Sequence, residues 1–138
     1  MAKKIYIGIS KPSNKKSLTL TTKQKDAISA GFSEIIDDFK NRFISKEPNK
    51  MQNYLADIFP AWYQSNFYLV EKFKNENPTE YSLQEFDEKF LRIQFNDIDK
   101  CKLSYKRYTG QWWDIAESIT LDDCKKMIVD NPVFHPIG

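Results

Sequence analysis

His135 is the sole histidine of this 138-residue chain, so a Ser-His-Asp or Cys-His triad would have to be built on it. It stands in the tail Val133-Phe134-His135-Pro136-Ile137-Gly138, between a phenylalanine and a proline, where a solvated imidazole is the expected role. Cys101 and Cys124 complete the soft metal ligands, too few and too widely spaced for the roughly four that a structural zinc site uses. No phosphate-binding loop, GxGxxG or GxSxG is present, and the four glycines are scattered.

A magnesium site needs only two or three carboxylates, so the acidic groups are the next candidates. They are Glu34 with Asp37 and Asp38, Asp97 with Asp99, Asp114 with Glu117, and Asp122 with Asp123. Glu34 and Asp38 share a helical face that reads as solvent-exposed. Asp122 and Asp123 fall in the first turn of a helix, where they offset its positive end. Asp87-Glu88-Lys89 echoes the acid-x-Lys element of metal-dependent nucleases. That chemistry needs a strand beside a second acid, whereas the pattern here reads as a capped helix. No metal and no cofactor is expected.

The most unusual local feature is Trp112-Trp113, close to Tyr105, Lys106, Arg107 and Tyr108. Adjacent residues of a strand point to opposite faces, so only one of the two indoles enters a given core. An exposed tryptophan beside two cations would suit a protein partner. It would also suit nucleic acid, with bases stacked and phosphates held by the cations.

Several elements must position these residues. Lys3 to Ile9 alternates, with Ile5, Ile7 and Ile9 on one face, and reads as a strand. Lys11 to Lys16 is a polar loop, and Ser17 to Leu20 a short second strand. Thr21 with Gln24 forms a capping-box pattern that opens a helix through Ile28, Phe32, Ile35, Ile36, Phe39 and Phe43. Gly31 within it would let another element approach closely.

Met51 to Phe59 reads as a second helical stretch, Pro60 to about Lys74 as a third, and Ser82 with Glu85 as the cap of a fourth reaching about Ile93. Cys101 to Tyr108 alternates again, and Gln111 to Ile115 would be its hairpin partner. Thr120 with Asp123 caps a last helix that Asn131-Pro132 stops. The fold expected is one α+β domain over residues 1–138. Its sheet would be small and mainly antiparallel, an N-terminal strand plus a C-terminal hairpin packed against several amphipathic helices.

Composition bounds the function. Apolar content of 41% and charged content of 29% are those of a globular protein, and aromatics reach 14%. No apolar run approaches the roughly 20 residues of a bilayer span, so no membrane partner is expected. The basic N-terminus has no apolar h-region behind it, and with two cysteines expected as buried free thiols the location reads as cytoplasmic. Net charge is +2, yet residues 1–25 carry seven lysines and no acid, and Lys100, Lys102, Lys106 and Arg107 form a second basic block.

The expected function is a non-enzymatic protein-interaction module, of inhibitor, immunity or anti-defence type from a bacterium or phage. Its surface would include Tyr105, Lys106, Arg107, Tyr108, Trp112 and Trp113. The alternative is nucleic-acid binding on a basic, aromatic sheet face made of Lys4, Tyr6, Lys102, Lys106 and Tyr108.

Overall fold

A computed structural model describes residues 4–5, 18–77, 84–97, 99–107 and 109–136. Residues 6–17, which hold most of the expected first strand and the lysine-rich loop, lie outside the described residues, as do Ser82, Leu83 and Tyr108.

Helices begin where the side chains can cap them. The Thr21 hydroxyl accepts from the Gln24 amide, and Gln24 Oε1 accepts from the Thr21 amide, which opens α1 (Thr22–Gly31). The helix does not run unbroken to Phe43. It breaks at Phe32 and resumes as α2 (Ser33–Phe43). Phe32 is fully buried there, tilted against Phe67 with ring centroids 4.7 Å apart. The preceding Gly31 lies under Lys125, whose Nζ would sit 2.8 Å from an added Cβ. Near the other end of the chain, the Thr120 hydroxyl accepts from the Asp123 amide and opens α3 (Leu121–Asp130). Asn131 then caps a single 3-10 turn, Pro132–Phe134.

Among the described residues all strands belong to one antiparallel sheet: β1 (Lys4–Ile5), β2 (Tyr54–Tyr63), β3 (Asn66–Lys74), β4 (Glu85–Asp97), β5 (Lys100–Lys106) and β6 (Trp112–Ile119). They lie in the order β1-β6-β5-β4-β3-β2, a meander of five long strands with β1 added at the β6 edge. The sheet, not the helical layer, is the larger part of the fold. This corrects the expected small sheet of one strand and one hairpin, because the three middle segments read as helices are β2, β3 and β4.

The physical reason lies in irregular strands. In β2 a register shift between Leu55 and Asp57 puts Leu55 and then Ile58, Pro60 and Trp62 on the same side. A β-bulge thus produces the three-residue step of a helix. Another shift beside Leu69 and Val70 leaves Phe90 of β4 without a register partner, so that Phe90 and Leu91 are buried in succession and the alternation breaks there. In β3, Phe67 to Val70 is buried on both faces, so the period-two alternation disappears. Pro60 is tolerated because β2 is an edge strand.

The first face carries the core. Phe67, Leu69, Leu91, Ile93, Phe95, Cys101, Leu103 and Ile119 meet Phe32, Ile36, Phe39, Cys124, Ile128 and Phe134 from the helical side. Trp62 is fixed there by a hydrogen bond from its Nε1 to Ser29 Oγ at 2.9 Å. Fully burying each large side chain is worth about 1.5–3 kcal/mol. The first-face helices therefore account for one side of the sheet only.

Candidate binding face

On the second face, alternation projects Tyr68 and Val70 from β3, Lys89 and Arg92 from β4, Lys102, Ser104 and Lys106 from β5, and Trp112 and Asp114 from β6. Asp114 is the hub. Ser104 Oγ donates to Asp114 Oδ1 at 2.6 Å, Arg92 Nη2 stands 3.5 Å from the same oxygen, and Lys102 Nζ is 3.9 Å from Oδ2. The side chains of Arg92, Lys102 and Asp114 are only 12%, 13% and 7% exposed, and Ser104 is fully buried. Burial lowers the Arg92 pKa, an effect opposed by Tyr68 and then Asp114.

Aromatic rings cover this ionic cluster. Tyr68 and Trp112 come from strands three places apart, about 14 Å at the usual strand spacing. Their ring centroids are nevertheless 5.9 Å apart. The two side chains therefore lean together over β4 and β5, and that convergence explains why Ser104 has no exposed surface. Arg92 Cζ lies 4.7 Å from the Trp112 centroid, and Lys89 Nζ lies 4.3 Å from that of Tyr68. Each cation sits against the negative face of a ring. Lys72 repeats the arrangement over Phe59 at 5.7 Å.

The end of the β5–β6 hairpin divides its residues between the two faces. Register sets Lys106 opposite Trp112 and Tyr105 opposite Trp113. Tyr105 packs edge-on to Phe134 at 6.0 Å, on the helical side. Arg107 lies 4.5 Å over Trp113, and Trp113 Nε1 is buried without a hydrogen-bond partner. Lys106 reaches Glu88 Oε2 at 3.4 Å. Both indoles are partly exposed.

Of the residues expected at a partner surface, Lys106 and Trp112 thus share the second face, whereas Tyr105 and Trp113 belong to the first. Of the alternative set, Lys102 and Lys106 share the second face. Lys4 is opposite Glu117 in β1, beside the hairpin as that alternative assumed. Tyr6 and Tyr108 lie outside the described residues.

Sequence reasoning missed Tyr68, Lys89 and Arg92. The available signal was the run Phe67 to Val70, apolar on both sides as only a doubly covered strand requires.

The other chemical candidates are also placed. Asp87-Glu88-Lys89 lies on β4 and not in a helix. Even so, Asp87 and Glu85 are both held by Lys72, at 3.5 and 2.6 Å, and no group of three metal-ligating side chains occurs among the described residues. His135 is packed against Phe39 and Phe43, with Nε2 3.0 Å from the Ile128 carbonyl. Cys101 and Cys124 are buried free thiols, and a hydrogen bond from one to the other, aided by burial, holds the Cys124 pKa far above the ordinary range. No helix among the described residues is long and apolar enough to cross a membrane.

A family model described as "Domain of unknown function (DUF3024)" matches residues 32–136, from the α1–α2 junction to the end of the 3-10 turn. No curated protein and no solved structure matches the chain.

Proposed function

The chain belongs to the DUF3024 family of domains of unknown function, and we propose that it is a non-enzymatic binding module that takes an anionic partner at the end of the β5–β6 hairpin. One observation carries this reading. Trp112 is partly exposed, is braced by Arg92 and Tyr68, and is neighboured by Lys89 and Lys106 of the same face, with Arg107 following in the chain. Aromatic and guanidinium groups are the side chains most often found at binding hot spots, and their arrangement before a partner arrives reduces the ordering cost.

The non-enzymatic part rests on the state of the reactive groups. The Ser104 hydroxyl is buried and committed to Asp114, His135 is packed between two phenylalanines, and both thiols are covered. A cytoplasmic setting suits those two unpaired thiols. An inhibitor, immunity or anti-defence role would use the same surface by covering an acidic region of its target.

Retention on heparin, an anionic polymer without bases, tests the reading. The double variant Lys89→Glu/Arg107→Glu is expected to elute at clearly lower salt than wild type. A matched reversal far from the hairpin, Lys23→Glu/Lys46→Glu, controls for net charge. Equal elution of the two double variants would refute a localised site.

A further inference from the structure

We infer that the anionic partner is a single-stranded nucleic acid, with a base stacked against Trp112 and its phosphates held by Lys89 and Lys106 of the same face; this rests on the binding-face reading above. Three features separate this ligand from an acidic protein. Among the described residues of the second face at the hairpin end, the apolar group that reaches solvent is the partly exposed Trp112 indole, a match in size for one base. A stable protein interface buries about 800 Å² per partner around an apolar centre.

Among the described residues, the large hydrophobic side chains that face solvent most fully are Met51, Tyr63, Val129 and Val133, all away from the hairpin end. The Trp112 ring also lies against a guanidinium, and aromatic and guanidinium planes are the two surfaces on which unpaired bases stack. A duplex keeps its base faces covered, so a single strand fits where a double strand does not.

The buried cluster below gives the site its rigidity. Asp114 ties Arg92, Lys102 and Ser104 together, so the floor under the indole is held from three strands. Lys89 has its ammonium 4.3 Å from the Tyr68 centroid and remains exposed, ready for a phosphate. Such binding tolerates sequence, because every base offers a π-face.

The test uses the full chain and three probes: a fluorescein-labelled oligo-thymidine strand of about 15 nucleotides, heparin, and poly-glutamate. Anisotropy and intrinsic tryptophan fluorescence are followed from low to moderate salt. The oligonucleotide is expected to bind at low salt and to quench tryptophan more strongly than either polyanion. With two phosphates neutralised, the log–log salt slope should be about −1.4.

Trp112→Leu should weaken the oligonucleotide about tenfold, a larger loss than it causes in heparin retention. Because Trp112 also packs on Tyr68, Lys89→Glu serves as the variant at an exposed position of the same face, and circular dichroism checks that both are folded. If heparin and poly-glutamate quench as strongly as the oligonucleotide, and Trp112→Leu changes nothing, base stacking is overturned while the cationic site survives. If no probe binds at low salt, both readings fall.

Discussion

Replacing Asp114 by asparagine keeps the shape of the hub and removes its charge. Asparagine can still accept from Ser104, so the perturbation falls on Arg92 and Lys102, which keep their charges in a site with 12% and 13% exposure. At an effective dielectric near 20, contacts of 3.5 and 3.9 Å correspond to gross attractions of about 5 and 4 kcal/mol.

Desolvation offsets most of that in the intact protein, and the cost of the variant is the cost of leaving buried cations uncompensated. Breaking one partner of a buried pair costs about 3–5 kcal/mol, and the remaining exposure of both cations favours the lower end. We therefore expect a loss of about 3 kcal/mol, or a fall in Tm of about 6–12 °C for a chain of this size. Urea melts at pH 7, followed by far-UV circular dichroism, measure it. Adding Lys102→Met to Asp114→Asn should recover at least about 1 kcal/mol, since it removes one stranded charge. A loss under about 1 kcal/mol, or no recovery in the double variant, would mean that water already screens the cluster and that the aromatic roof does not isolate it.

Three further outcomes follow from the structure. Thr21→Ala removes the hydroxyl that accepts from the Gln24 amide while keeping the backbone amide that donates to Gln24 Oε1, and should cost about 1 kcal/mol in the same melts, whereas Thr21→Ser should be nearly silent. Cys101 and Cys124 should fail to react with a thiol reagent in the native protein and react at two equivalents after denaturation. Rapid labelling of the folded state would show that the layer between β5 and α3 opens readily. Glu85 is hydrogen-bonded to Lys72, which holds its pKa below the ordinary glutamate value. Its contribution to stability is therefore present above the unfolded pKa and is lost as pH falls through the lowered one. Carboxyl NMR titration should place Glu85 below a typical glutamate, with Lys72→Met restoring it.

Local chemistry made part of the fold legible from residues alone. Thr21 with Gln24 and Thr120 with Asp123 mark helix starts because a capping side chain reaches a backbone amide three residues away, whatever the rest of the chain does. The β5–β6 hairpin was legible because Cys101, Leu103 and Tyr105 alternate with Lys102, Ser104 and Lys106 while one side is mostly polar. The burial of Cys101 followed from that alternation, and the burial of Cys124 from its helical spacing with Leu121, Met127 and Ile128. Trp112 stood out because two adjacent tryptophans on a strand cannot share one core.

What only the tertiary structure decided concerns β2, β3 and β4 and the site they build. A bulge depends on which strand lies alongside, and burial on both faces depends on what covers each, so neither leaves a period of two in the sequence. Leu55 with Ile58 carried helical spacing for that reason, and the burial of Phe90 and Leu91 in succession hid the alternation of β4. The meeting of Tyr68 and Trp112 over Arg92 joins residues 44 positions apart through the order of the strands and the lean of the two side chains. Spacing along the chain reports the neighbours a residue has on its own element. Contacts across four strands arise from pairing, register and twist, which exist only once the sheet has formed.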